Sequence, residues 1–199
     1  VAYYLVGCDA QKAAEYLNAK NPRVGWYLQQ LLKLYAPYVI PGISTNVLHL
    51  DADTIFLNPV TFINSKNGGQ YNPGTEYHMP YFTHMDRLIP GLKRVFPQYS
   101  GISHHMLLQK DALDDMFKTI EGYHKMELWK AFCLQVDKND LFLSGAASDE
   151  LYFNFVFTKT DQVEIRTLKW DNVPSIKNLN FYKSKGYHYV SNHSWMRED

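Results

Sequence analysis

The chain has 199 residues, 46% of them hydrophobic and 20% charged, with 20 Lys plus Arg against 20 Asp plus Glu. That length sets one domain as the prior and is enough for a core without disulfide staples. The balanced charge argues against a dedicated nucleic-acid binder, which carries a basic face, and no apolar run approaches the roughly 20 residues needed to span a bilayer.

Two cysteines, Cys8 and Cys133, are too few for a disulfide framework and show no metal spacing. They read as reduced, buried thiols. With no leader-like segment in view, the expected compartment is the cytoplasm. A start at Val1 rather than Met also fits a piece of a longer chain. Aromatics reach 15%, with 15 Tyr. Such rings stack on sugars and bases, and more commonly fill cores.

VAYYLVG (1–7) reads as a short buried strand, and Asp9 as the cap of a helix over AQKAAEYLNAK that Asn21-Pro22 breaks;. A second helix is expected over 24–35. Leu28, Leu31, Leu32 and Tyr35 recur at i, i+3, i+4, i+7 as its core face. Trp26, Gln30 and Lys33 share the opposite, polar face. Pro37 and Pro41-Gly42 are expected to end the unit. An apolar strand then runs to Leu50 and gives Asp51-Ala52-Asp53.

From Asn58 to about Pro80 turn signals dominate, and a long irregular loop of this kind is more often functional than decorative. Pro90-Gly91 and Pro97 keep the next stretch irregular. A helix starts near Asp111 with the stripe Leu113, Met116, Phe117 and Ile120. Another is expected over 125–135. LFLSG (141–145) reads as a short strand or turn. Ser148 can cap a helix opening with Asp149 and Glu150. VEIRTLKW reads as one strand and GYHYVSNHSW as another. The order of elements gives an α/β class, a mixed central sheet covered by helices on both faces.

The two aspartates carry the chemistry. Ligands of open α/β sheets sit at the carboxyl ends of strands, and residues i and i+2 on a strand point the same way. Two desolvated carboxylates repel and call for a cation, commonly a divalent ion shared with substrate phosphates. A bare Asp-x-Asp is also frequent as a solvated strand-end turn.

LHLDADTIFLNP resembles the metal-binding Asp-x-Asp strand of nucleotide-sugar glycosyltransferases with the GT-A fold. RVGWYLQQLLKL (23–34) resembles the Arg-x-Gly-Trp-Tyr-x-Gln-Gln-x-x-Lys-Leu segment that precedes that strand in one group of small glycosyltransferase-like proteins. SGISHHMLLQKD resembles their Ser/His acceptor-side segment. SDELYFNF resembles their later Ser-x-x-Glu-Leu-Tyr segment, with spacing one residue tighter. In size and pattern the chain is similar to glycosyltransferase domains encoded by chlorella viruses, for which the cytoplasm would be the host's.

The resemblance implies one GT-A (Rossmann-like) domain over 1–199 that transfers a hexose or deoxyhexose from a nucleotide-diphosphate sugar, by analogy a UDP-sugar, to a glycan acceptor. It implies Mn²⁺ or Mg²⁺ as cofactor. Asp53 would ligate the metal, and Asp51 the donor ribose, the metal or both. Arg23, Trp26, Gln30 and Lys33 would face the donor, with Arg23 or Lys33 on the sugar or a phosphate oxygen. A late His would complete the metal site, His193 ahead of His188. Glu150, ahead of Asp149, is the candidate general base that an inverting reaction needs. His104 and His105 would serve phosphate or acceptor, and adjacency lets only one of them face the site. Loop 58–80 and the aromatic C-terminal part would build the acceptor side.

Two rivals use the same residues. In a phosphatase of the haloacid-dehalogenase type Asp51 is the nucleophile and Asp53 the acid; Ile55 departs from that motif. A non-catalytic glycan- or nucleotide-binding module suits the aromatics but has no use for the acidic residues. Dependence on a nucleotide-sugar donor separates the first rival, and binding without turnover, unaffected by EDTA, marks the second.

Overall fold

A computed structural model describes residues 22–197. The expected strand 1–7, the helix after Asp9 and Cys8 lie outside the described residues. The rest is a mixed α/β fold in which the helices carry most of the core.

Helix α1, Val24–Val39, runs four residues beyond its expected end. Pro37 is tolerated inside its last turn, and the helix stops only at Ile40, before Pro41-Gly42. Its buried positions are Tyr27, Gln30, Leu31, Leu34 and Pro37. The inward face is therefore rotated from the expected one. Leu28, Leu32 and Tyr35 pack at its margin, and Gln30 points inward. The Tyr27 hydroxyl explains the rotation: it accepts a bond from the Gly145 N–H at 3.1 Å and donates to the carbonyls of the 140–143 turn, Leu143 O at 3.0 Å. The 141–145 segment is thus a turn, pinned from beneath.

Strand β1 (Asn46–Leu50) pairs antiparallel with β4 (His105–Gln109), Asn46 opposite Gln109 and Leu50 opposite His105. β1 is half-buried along its length and Leu50 is 46% exposed, so it is not the buried strand its apolar run suggests. Strand β2 (Thr54–Phe56) follows a tight turn over residues 51–53. It pairs antiparallel with β7 (Tyr189–Ser191), which pairs in parallel with β6 (Trp170–Asn172). β3 (Gln70–Tyr71) and β5 (Glu164–Ile165) form a short parallel pair inside and beyond the long loop. VEIRTLKW is therefore split between β5 and the start of β6. Among the described residues the strands make three small sheets rather than one continuous central sheet.

Helix α2, Met79–Leu88, was not expected, because turn residues crowd the sequence before it. Pro80 sits in its first turn, where a missing N–H costs nothing, and Tyr81, His84, Met85 and Leu88 form its buried stripe. α3 (Lys110–His124) buries Leu113, Met116 and Ile120 as expected and ends on Lys125 in the left-handed conformation. α4 covers Leu128–Leu134 and buries Cys133. The C-terminal part adds a 3₁₀ turn at Ile176–Asn178, α6 (Leu179–Ser184) and a second 3₁₀ turn at Ser194–Met196.

Helix α5, Ser148–Lys159, is the centre of the fold. All nine residues from Ser148 to Val156 are buried, which marks a helix enclosed on every side. It packs against α1, α2 and α3. Ala147, not Ser148, occupies the cap position, and the Ser148 hydroxyl donates instead to Gln30 Oε1 at 2.8 Å. No described helix is long and apolar enough to cross a membrane.

Gly101 lies flush against this helix. A Cβ there would meet Phe153 Cβ at 2.5 Å and the Asp149 carbonyl at 2.6 Å. Gly101→Ala is expected to destabilise the protein by about 1–3 kcal/mol, the usual cost of overpacking. Thermal or urea unfolding checks it; an unchanged midpoint would contradict the packing described.

Candidate functional site

Five segments converge at one end of the fold: the middle of α1, the 51–53 turn after β1, residues 102–103 ahead of β4, the first turn of α5 and the chain following β7. Between them lies a cavity of about 450 Å³, a size in the roughly 300–1,000 Å³ range of small-molecule sites. Trp26, Gln30, Lys33, Asp51, Asp53, Asp149, His193 and Arg197 line it. A second cavity of about 440 Å³ shares Asp51, Ser103 and His193 with the first and adds Glu76, His104, Trp170 and Trp195.

A buried ion cluster forms the floor. Asp149 is 5% exposed. Lys33 Nζ donates to its Oδ2 at 3.0 Å, and His49 Nε2 lies 3.1 Å from its Oδ1. Lys33 Nζ is also 3.4 Å from Asp51 Oδ1. Burial alone would raise the Asp149 pKa, but His49 and Lys33 outweigh it and hold the carboxyl well below the usual range. Burial likewise opposes the charge on Lys33, and Asp149 and Asp51 overcome it, so its pKa is raised. Both groups are charged at neutral pH.

Asp51 and Asp53 do not share a strand face, contrary to the expectation for residues i and i+2 of a strand. β1 ends at Leu50, and the Asp51 carbonyl accepts the Thr54 N–H at 3.0 Å across a turn. The turn still brings both carboxylates to one cavity, by different routes. Asp51 meets Lys33. Asp53 Oδ2 accepts from His193 Nδ1 at 2.8 Å, and its Oδ1 accepts from the Ser191 hydroxyl at 3.0 Å. Burial opposes ionisation of Asp53, and these two bonds hold its pKa below the ordinary value.

The chain of bonds continues. His193 Nε2 faces His104 Nε2 at 3.2 Å, and His104 Nδ1 lies 3.4 Å from the Tyr189 hydroxyl. One directional pattern satisfies every member: Tyr189 O–H donates to His104 Nδ1, His104 Nε2–H to His193 Nε2, and His193 Nδ1–H to Asp53. The burial of His104, and then His193 beside it, lowers its pKa and favours the neutral ring this pattern requires.

His105 points the other way, as adjacency on a strand demands. It is 3% exposed, packed edge-on against Phe56, Phe62 and Tyr189, with its pKa pushed down to about 3, chiefly by burial. It is a core residue and does not reach the cavities. His188 is also remote from them; its Nδ1 accepts the Lys169 N–H. Arg23 is exposed and donates to the Ser144 hydroxyl at 2.6 Å, so it braces the turn rather than lining the cavity. Trp26 does line it, fixed by an Nε1–H bond to the Ala146 carbonyl and stacked on Tyr81. Gln30 is not a solvated helix residue. Its Oε1 accepts both the N–H and the hydroxyl of Ser148, which fixes the start of α5.

Glu150 is displaced from the role expected of it. It is 1% exposed, does not line the cavity, and accepts bonds from the Ser100 hydroxyl, the Gly101 N–H and the Asn154 amide. Its task is to tie the approach to β4 onto α5. Asp149 does line the cavity, but a carboxylate held so far below its usual pKa is a poor proton acceptor.

Four residues escaped the sequence reading. His49 stands inside the Asp-x-Asp segment, two residues before Asp51, and that spacing was its one signal. Arg197, Trp195 and Ser191 lie at or near the C-terminus with no periodic pattern to single them out. Trp195 is 76% exposed and stacks on His193 at 5.3 Å.

The donor set is right in kind for a hard divalent ion: two carboxylates and an imidazole at one cavity, the mode in which Mg²⁺ or Mn²⁺ is completed by substrate phosphates. Among the described residues no group of three His, Cys, Asp or Glu side chains is gathered closely enough to cage an ion by itself. No protein-family model matches the chain, and no curated protein matches its sequence.

Two outcomes follow from the electrostatics. Glu150→Gln places an amide N–H₂ against groups that all donate, so it is expected to cost about 1–3 kcal/mol of stability while sparing ligand binding in the cavity. Denaturant unfolding beside a ligand titration checks this; loss of turnover without loss of stability would contradict it. Lys33→Met strands buried Asp149 and is expected to cost about 3–5 kcal/mol at pH 7. The stability due to the ionised Asp149 is full above its unfolded pKa, near 3.8, and is lost as pH falls through the depressed folded value;. Removing Lys33 raises that folded value, so acid unfolding should begin at higher pH in the variant. An unchanged acid midpoint would contradict the pairing.

Proposed function

We propose that the chain is a metal-dependent glycosyltransferase that binds a nucleotide-diphosphate sugar, UDP-sugar by resemblance, and passes the sugar to a glycan hydroxyl. The observation that carries this reading is the juxtaposition of the Asp51 and Asp53 carboxylates with the cations Lys33 and Arg197 around a single cavity. Carboxylates alone repel a diphosphate, and cations alone bind any anion. Both together suit a diphosphate that arrives with a divalent ion. The GT-A arrangement belongs to the same proposal, since the mixed α/β fold is compatible with it without specifying it.

In this reading Trp26 walls the cavity, and Lys33, held charged by Asp149 and Asp51, meets a phosphate or sugar oxygen. Arg197 offers a guanidinium suited to phosphate oxygens. Asp149 acts as a positioning residue that keeps Lys33 and His49 in place. Mn²⁺ or Mg²⁺, held among Asp51, Asp53 and His193, would offset charge on the leaving diphosphate as a Lewis acid. The second cavity, with exposed Trp195 and Glu76 from the long loop, is where the acceptor would lie; a flat indole suits the apolar face of a sugar ring.

The test is incubation with a panel of UDP-sugars and Mn²⁺, following release of UDP. Asp53→Ala is expected to lower release by more than about 100-fold, the scale of losing one electrostatic contact to developing charge. Free phosphate from simple phosphate esters, with no nucleotide requirement, would favour the phosphatase alternative. Saturable binding without turnover would favour the non-catalytic module.

A further inference from the structure

We propose that the connection between β6 and β7, residues 174–187, is a docking surface for an anionic lipid bilayer. It uses none of the residues that line the two cavities, and it stands whether or not a nucleotide sugar binds.

The argument begins with what the connection does not do. β6 and β7 are parallel neighbours, so a crossover must join them. This crossover buries nothing: no residue from 174 to 187 is buried, and neither the 3₁₀ turn at Ile176–Asn178 nor α6 gives a side chain to the core. Half-buried Leu179 and Tyr182 mark the inner side of α6, where Tyr182 packs edge-on against Tyr187. Two large apolar side chains are left in water, Ile176 at 53% and Phe181 at 56% exposure. Short helices are ordinarily held by burying an apolar stripe. Here the largest apolar groups face outward.

The charge around them is of one sign. Lys177, Lys183 and Lys185 are exposed. Lys169 is tied to the same lobe, its Nζ donating to the Lys185 carbonyl at 2.8 Å and lying 4.4 Å from the Tyr187 ring. Lys177 stands one turn before Phe181 and Lys185 one turn after it, with the Lys185 Nζ 5.8 Å from the ring. Among the described residues none of these four lysines forms an ion pair. No Asp or Glu occurs from 172 to 197, in a chain whose net charge is zero.

Exposed apolar side chains set among unpaired lysines match the boundary of an anionic bilayer. Phe and Ile enter the headgroup region, while lysine stems lie along it and carry their ammonium groups to the lipid phosphates and carboxylates. A second copy of the chain is a poor occupant, because the same positive charge would face itself. Nucleic acid favours the planar fork of arginine, and the cations of this segment are all lysines.

The experiment is flotation of the full chain with vesicles of equal parts phosphatidylcholine and phosphatidylserine, beside vesicles of phosphatidylcholine alone. Association with the mixed vesicles is expected at low salt, weakening as salt is added, and none with phosphatidylcholine. Replacing Lys177, Lys183 and Lys185 together by Gln should weaken association by about 100-fold, since each lysine at an anionic surface contributes several-fold. Phe181→Ser should weaken it by about 10-fold through lost apolar insertion. Both variants should melt like the parent chain, because none of the replaced side chains is buried. No association with the mixed vesicles would overturn the proposal. Equal association with phosphatidylcholine alone, or undiminished association of the triple variant, would do the same. Retention on single-stranded RNA without vesicle association would assign the patch to nucleic acid instead. Release of UDP is read separately, so failure of flotation leaves the transferase reading standing.

Discussion

A buried carboxylate must be compensated, and the compensation of Asp149 organises this molecule. The first turn of α5 places that carboxylate inside the protein, where an isolated charge would be prohibitively costly. Lys33 from α1 and His49 from β1 meet its two oxygens. The pairing therefore fixes a helix and a strand against the central helix, and Gln30 reinforces it by holding the backbone and hydroxyl of Ser148. The cavity is a by-product of this geometry. Lys33 meets Asp149 at 3.0 Å and Asp51 at 3.4 Å with the same ammonium, which joins the 51–53 turn to the mouth of the ion cluster.

A second linkage closes the site from the C-terminal side. Asp53 binds His193 and Ser191 by side chain, and its carbonyl accepts the Asn192 N–H at 2.9 Å. The turn after β1 is thereby locked to the chain following β7, some 140 residues away in sequence. The two aspartates thus serve different neighbours. Asp51 belongs to the ion cluster of α1 and α5, and Asp53 to the histidine chain of the C-terminal part. A ligand bridging them would bridge the two halves of the site.

The sequence made much of the helical framework legible. Apolar residues at 3.6-residue spacing placed α1 and α3 within a few residues, because burying one stripe is what keeps a helix in a core; α5 was marked only by Ser148 near its start, since a helix buried on every side has no stripe to read. α2 was hidden by the turn-forming residues ahead of it, although its stripe from Tyr81 to Leu88 carried the same period. The sheets were harder. Strands of two to five residues leave almost no alternation to read, and the strand expected from VEIRTLKW divides where its pairing partner changes from β3 to β7. At the site, the Asp-x-Asp segment stood out because charge after an apolar run is unusual. Its neighbours did not. Gln30 and Lys33 could be placed on a polar helix face and, by resemblance, toward a donor, but their partners were hidden, since the carboxylate that draws Lys33 inward and the Ser148 that engages Gln30 are more than 110 residues away. Glu150 and Asp149 exchanged importance for a related reason. Adjacent residues on a helix point about 100° apart, and only the packing around α5 decides which one meets the cavity.

The central claim is that these charges form a site for a divalent ion and a nucleoside diphosphate together. Calorimetric titration of UDP into the protein, first with Mn²⁺ and then after EDTA, tests it most directly. The account predicts saturable binding at one site per chain that disappears on chelation. Absence of binding in both conditions, or binding of equal strength with EDTA present, would contradict it.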